Sequence, residues 1–297
     1  MVNIICCPTA GMCNRFRMLA SCIVYAINTN STIYLLWDVE ENRENKKKYM
    51  SMNEHTFLDF FDEKSFIYPF LGSFCDREPE IIYTEWLPFD NWYSLQSFGQ
   101  MKYIKNGNKS KLVKIVDDLP EFQVETILIE SSLKINRYIY NNKLYQINKF
   151  DLTEIYQKYF IPKQKYKDAL ASIPNFDIGI SIRKNEDFLQ IYPESRYMFA
   201  PGNLFLERFI GKLLNDGSFL IIFSDDHIFR NELINKLLLI YPNKIYVPNF
   251  SFEDWEQPLF EFLILAYKCD KIYGTKNSSF AEESSIFSGR YHYNIIE

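Results

Sequence analysis

Four ionisable side chains fall within five residues of the segment Ile178–Asp187: Arg183, Lys184, Glu186 and Asp187. They follow Ile178-Gly179-Ile180-Ser181-Ile182, a short apolar run bounded by Asp177 and Lys184. Such a run reads as a buried strand. In an open parallel sheet, ligands bind beyond the carboxyl ends of the strands. An arginine there can grip two phosphate oxygens at once with its planar fork. The same residues also describe a surface salt-bridge cluster closing a strand, so two further stretches bear on the choice.

Those stretches come from the regular alternation of the second half. Strands are predicted at 178–182, 219–223, 244–247 and 271–273, with helices at 204–214, 228–240, 259–267 and 281–287, and a last strand or edge segment at 291–296. Strictly alternating strands and helices mean a doubly wound parallel sheet. Three of these strands end in polar clusters: Arg183–Asp187, Ser224-Asp225-Asp226 and Thr275–Ser279. If the strands are parallel, the clusters share one rim. Ser278 and Ser279 precede a helix, where a serine can cap the helix or donate to a phosphate. Asp225 or Asp226 can accept from a ribose hydroxyl or a base N–H, or act as an ordinary cap.

The first half opens in a similar way. Val2–Cys7 reads as a strand, Pro8–Gly11 as a break, and Met12–Asn28 as a helix with an apolar stripe at Met12, Phe16, Leu19, Ile23 and Ile27. Asn28–Ser31 ends the helix, and Thr32–Trp37 is the next strand. The helix start, Gly11-Met12-Cys13-Asn14-Arg15-Phe16-Arg17, combines free N–H groups with the donors Asn14, Arg15 and Arg17. Gly11 is expected to ease the turn. No GxxxxGK[ST] and no GxGxxG occurs, which argues against a phosphate-binding P-loop and a dinucleotide fingerprint. Asp38-Val39-Glu40 is either a metal-holding carboxylate pair or surface charge. The aromatic stretches Phe57–Phe74 and Trp86–Tyr93 are either core or sugar-facing. Val124–Ser131 reads as a further strand and 144–164 as a helical or irregular bridge between halves.

Composition narrows the class. The chain has 297 residues, is 47% hydrophobic and carries a net charge of −5, enough for two domains and without the basic excess of a nucleic-acid binder. The Arg43–Lys48 cluster reads as a solvated loop. No signal peptide and no membrane span is expected from the sequence. Six cysteines without a CxxC pair suggest reduced thiols in a cytoplasmic setting and no metal site.

Four stretches in order resemble one family. Gly11-Met12-Cys13-Asn14-Arg15-Phe16-Arg17-Met18-Leu19-Ala20-Ser21 resembles the G-x-x-N-R-[LF]-R-x-L-A-S element of the fucosyltransferase superfamily. Ser181–Glu186 is similar to its H-x-R-R-x-D strand end, Ser224-Asp225-Asp226 to its S-D motif, and Ser278-Ser279-Phe280-Ala281-Glu282 to its S-S-F-[SA]-E element. The chain departs from the pattern at Ser181 for histidine, Lys184 for the second arginine and Glu186 for aspartate. Lysine keeps the charge but loses the two-pronged fork.

The resemblance implies an α/β GT-B fold with two facing Rossmann-like domains, expected at 1–150 on the acceptor side and 151–297 for the nucleotide sugar. It implies an inverting, metal-independent transfer of fucose from GDP-fucose to a hydroxyl of a glycan or glycoconjugate. Arg183 would bind the diphosphate with Lys184, Ser278, Ser279 and Phe280, while Asp225 and Asp226 would approach the nucleoside. Asn14 and Arg15 would line the cleft from the other domain. Glu186 and Asp187 are candidates by position for the base. Another nucleotide-sugar donor, or a non-catalytic carbohydrate-binding protein on the same scaffold, remains open.

Overall fold

The structure is a computed structural model. It describes residues 3–8, 11–35, 37, 57–62, 81–83, 91–96, 100–105, 108–114, 126–131, 135–184, 202–250, 252–276 and 278–295. Asp38–Glu40, Arg43–Lys48, Trp86–Asp90, Glu186 and Asp187 lie outside the described residues. The chain divides into two compact units, Met1–Lys163 and Gln164–Glu297. This boundary falls later than 150/151 because the helix Lys149–Tyr159 packs on the helix Met12–Thr29 and so belongs to the first unit.

The first unit starts with β1 (Asn3–Pro8), α1 (Met12–Thr29) and β2 (Thr32–Leu35). A short α2 (Phe57–Phe60) follows, then β3 (Ile81–Tyr83), β4 (Asn91–Gln96), β5 (Gln100–Lys105), β6 (Asn108–Lys114) and β7 (Thr126–Ser131). These strands form one seven-stranded sheet in the order β3-β2-β1-β7-β4-β5-β6. The pairs from β3 to β4 are parallel, while β4–β5 and β5–β6 are antiparallel. This antiparallel extension was not legible in the sequence.

Helix α1 ends at Asn30, which takes the left-handed conformation at φ 53° and donates its N–H to Ala26 and Ile27. At the other end, Gly11 has φ −67° and ψ 163°, an ordinary extended conformation. Glycine is therefore not required for the turn itself, contrary to the sequence expectation. Phe57 and Phe61 belong to the core. They stack on each other at 4.7 Å and meet Phe16, Trp37 and Phe160 edge-on with centroids 5.2 to 5.4 Å apart.

The stretch expected as a bridge holds a hairpin, β8 (Arg137–Tyr140) and β9 (Lys143–Gln146), followed by α3 (Lys149–Tyr159). Its turn, Asn141-Asn142, has φ 50° and 57°, the two positive angles of a type I′ turn. All four residues of β9 are exposed, so no alternating burial pattern marks the strand. Asn148 and Asp151 form a reciprocal capping box at the start of α3.

The second unit runs α4 (Gln164–Ala171), β10 (Phe176–Ile182), α5 (Asn203–Asn215), β11 (Leu220–Ser224), α6 (His227–Ile240), β12 (Ile245–Tyr246), α7 (Gln257–Lys268), β13 (Cys269–Thr275), α8 (Ser279–Ser288) and β14 (Tyr291–Ile295). Its sheet is five-stranded, parallel throughout, and ordered β12-β11-β10-β13-β14. The expected alternation is present. Strands covered on both faces need apolar residues at successive positions, and β11 is buried along its whole length. Helix α7 is buried at eight successive residues, Leu259 to Ala266, as expected of a helix enclosed on all sides. Gly179 makes this packing possible: a Cβ there would lie 2.5 Å from Leu265 Cδ2 and 2.6 Å from Cys269 Sγ.

Two buried glutamates at α7 give the fold opposing pH responses. Burial alone would raise the pKa of Glu256, but hydrogen bonds from Lys165 and from the Tyr166 hydroxyl, the latter at 2.7 Å, outweigh it and hold the carboxyl below its usual range. A lowered carboxyl stabilises the fold above the unfolded pKa, and that contribution is lost as pH falls through the folded value. Glu261 is pushed up to about 7 by burial, against the pull of Gln257 and Arg230. Its ionisation costs stability as pH rises through about 7. Unfolding free energy measured in urea should therefore decline on both sides of a mildly acidic plateau. Tyr166→Phe should lower it by roughly 1–3 kcal/mol at neutral pH, the cost of a lost bond to a buried carboxylate.

Candidate functional site

The order β12-β11-β10-β13-β14 places the reversal of strand order between β10 and β13. From β10 the chain works outward through β11 to β12, then returns to pair β13 on the other side of β10. In open parallel sheets such a switch point is where ligands bind, outside the carboxyl ends of the strands. Arg183 and Lys184 follow β10, Ser224–Asp226 close β11, and Thr275–Ser278 close β13. The three polar clusters read from the sequence share one rim, because the strands that carry them are parallel.

Hydrogen bonds tie the rim together. The Arg183 backbone N–H donates to Thr275 Oγ1 at 2.9 Å, and the Lys184 N–H to Asp225 Oδ1 at 2.6 Å. The Ser278 N–H donates to the Thr275 carbonyl at 2.9 Å. Arg183 and Lys184 are half-exposed, whereas Thr275 and Ser278 are buried. The Lys184 ammonium lies 5.1 Å from the centre of the Phe229 ring. Thr275 was read from the sequence only as the first residue of a polar cluster, not as the hydroxyl that holds the Arg183 N–H. Its signal was a hydroxyl closing a strand directly before a helix start. Thr275→Val keeps the shape but strands the Arg183 N–H, so a stability loss of roughly 1–3 kcal/mol is expected in urea unfolding.

Two helix starts at this rim differ. At α6, Asp226 is an ordinary N-cap, its Oδ1 accepting the Phe229 N–H at 2.9 Å, and its own N–H donates to Ser224 Oγ at 3.2 Å. At α8, Ser278 occupies the N-cap position but its side chain caps nothing. The first-turn N–H groups of α8 are thus not satisfied by a cap, and such a helix start attracts anions. Glu282, in the same turn, is the opposing charge. Ser279 is half-buried, and Phe280 packs edge-on against Phe262 at 5.8 Å.

Gly274 sets how closely α8 approaches the rim: a Cβ there would lie 2.2 Å from Ala281 Cβ. Ser181, in the position of the family histidine, is buried within β10.

Asn14 and Arg15 belong to the first unit, in the first turn of α1. Arg15 is buried, its guanidinium carbon 5.4 Å from the centre of the Trp37 ring. The start of α1 has Gly11 at its N-cap and no side-chain cap. Among the described residues no group of three His, Cys, Asp or Glu side chains could hold a metal ion. No described helix is long and apolar enough to cross a membrane.

No family model matches the sequence, and no curated protein matches it. The likeness is structural. POFUT1 in complex with GDP is 11% identical, with a TM-score of 0.59 over 99% of this chain and 98% of that one. NodZ alpha-1,6-fucosyltransferase soaked with GDP-fucose is 12% identical, with a TM-score of 0.53 over 96% of this chain and 92% of that one. A variant of Arabidopsis thaliana FUT1 in complex with GDP is 13% identical, with a TM-score of 0.54 over 99% of this chain and 70% of that one. The chain therefore has the α/β fold of the GT-B fucosyltransferases, as the resemblance implied.

Proposed function

We propose that the protein is an inverting glycosyltransferase that moves fucose from GDP-fucose to a hydroxyl of a glycan or glycoconjugate, without a metal ion. The reading is carried by one observation: three strand ends of a parallel sheet, tied at its switch point, combine two cations with a helix start that lacks a side-chain cap. Similar folds solved with GDP and GDP-fucose support that donor. Residues 164–297 bind the nucleotide sugar, and Asn14 and Arg15 add donors to it.

The acceptor oxygen attacks the anomeric carbon from the face opposite the diphosphate. The carbon–oxygen bond to the diphosphate breaks, and its electron pair passes to the leaving oxygen. The Arg183 guanidinium, the Lys184 ammonium and the N–H groups of α8 stabilise that charge in place of a divalent ion. Ser278 and Ser279 donate to the phosphates, and Asp225 meets the nucleoside. Asp226 contributes by holding the start of α6 beside it. Glu186 or Asp187 takes the acceptor proton. The buried free thiols of Cys22 and Cys269 favour a cytoplasmic setting.

Thermal shift with GDP, UDP and ADP tests the donor. At a hundredfold excess over its Kd, a bound nucleotide stabilises the fold by about 2.7 kcal/mol, and only GDP is expected to do so. Stabilisation by UDP instead overturns the donor assignment. Ser181 and Lys184, which replace the family histidine and arginine, favour one second reading: a scaffold that binds donor or glycan without transfer. GDP-fucose that binds but is neither hydrolysed nor transferred would establish it.

A further inference from the structure

Along the β14 edge of the second sheet, five aromatic rings follow one another on one face. Phe205 and Phe209 of α5 stack at 6.2 Å, Phe209 meets Tyr273 of β13 edge-on at 5.5 Å, and Tyr273 stacks on Tyr293 of β14 at 5.0 Å. Tyr291, two residues before Tyr293, points to the same side of the strand. Exposure rises along the row. The first three rings pack against the core, Tyr293 is 41% exposed and Tyr291 is 72% exposed. The exposed members are tyrosines and the inner pair phenylalanines. Water therefore meets rings that offer a flat apolar face and a hydroxyl together.

The row starts at the strands that carry the rim. Tyr273 lies two residues before Thr275, whose hydroxyl holds the Arg183 N–H. Tyr291 pairs with Lys271, four residues before Thr275. At about 3.3 Å per residue it lies about 13 Å back from the rim. That is a distance a short oligosaccharide spans.

We propose that this row is a glycan-binding platform, on which the pyranose rings of an oligosaccharide acceptor stack while its reactive end reaches the rim at Arg183 and Thr275. The acceptor role rests on the fucosyl-transfer reading. The binding of a glycan by these rings does not. A pyranose presents an apolar C–H face rimmed by hydroxyls, which matches an exposed tyrosine on both counts. Lys271, exposed beside Tyr291, adds a donor for those hydroxyls. Two partly exposed rings offer a few hundred Å² at most, against about 800 Å² per partner in a stable protein complex. The area suits a sugar chain and not a second protein.

The test uses the intact chain with chitotetraose, cellotetraose and mannotetraose as probes, read by calorimetry. One of them is expected to bind. The double variant Tyr291→Ala with Tyr293→Ala should weaken it about tenfold or more, while the GDP thermal shift stays unchanged. Tyr293→Phe, which keeps the ring, should stay within about threefold of wild type. In a transfer assay the same double variant should raise the acceptor KM and leave kcat unchanged. The platform is overturned if no glycan binds, or if the double variant binds as tightly as wild type. It is also overturned if light scattering shows a dimer that the double variant turns into a monomer. Loss of the GDP shift in the wild-type protein instead removes the transfer reading and leaves glycan binding by the row to stand or fall on its own titration.

Discussion

Arg183→Ala lowers kcat for fucosyl transfer by about 10²- to 10³-fold, the loss expected when one preorganised donor to a developing oxyanion is removed. The backbone of Arg183 is held by the Thr275 hydroxyl at 2.9 Å. The substitution leaves that bond intact, so the effect isolates the side chain. Arg183→Lys keeps the charge but loses the fork, and should recover only part of the rate. Single-turnover kinetics with GDP-fucose measure the chemical step directly. A variant with near wild-type turnover and an unchanged GDP affinity would remove Arg183 from the mechanism. Lys184, whose ammonium lies 5.1 Å from the centre of the Phe229 ring, leaves one point charge at the site but no two-pronged fork, so the loss stays partial.

Gly274→Val disturbs both the fold and the donor site. Even a methyl at this position would meet Ala281 Cβ at 2.2 Å, so α8 must move away from β13. Overpacking of this kind costs roughly 1–3 kcal/mol, and more when backbone atoms resist. The helix that shifts is the one whose start supplies N–H groups to the proposed diphosphate, so GDP affinity should fall together with Tm. Gly274→Ala should show the same pattern more mildly. Combining Gly274→Ala with Ala281→Gly removes the 2.2 Å contact and leaves only His292 Nε2, at 3.1 Å, to shift slightly; it should restore the GDP shift at the cost of about 1 kcal/mol for a glycine within a helix. If the double variant binds GDP no better than the single one, the close approach of α8 is not what shapes the site.

These two expectations rest on different levels of organisation. The strand that ends at Arg183, and its polar end, were legible from local pattern alone. An apolar run followed by a basic pair is a strand with a polar end in almost any context, because both faces of a parallel strand are buried and its carboxyl end is not. The alternation of the second unit was legible for the same reason, and so was the helix after Gly11. The hairpin β8–β9 was not, since its outer strand is exposed at every residue and buries no alternating face. Nor was the antiparallel extension β4-β5-β6, whose pairing depends on which strand reaches the open edge of the first sheet.

By itself, then, the sequence determined which segments become strands and helices and which of their ends are polar. Burial of apolar side chains imposes those periods over a few residues at a time. The tertiary structure alone decided which ends meet: Arg183 and Thr275 are 92 residues apart and Lys184 and Asp225 are 41. It also decided that Asp226 caps a helix while Ser278, in the equivalent position, leaves one without a cap. Strand order and the closeness of helix to sheet are properties of the whole packed unit, and no local window of residues contains them.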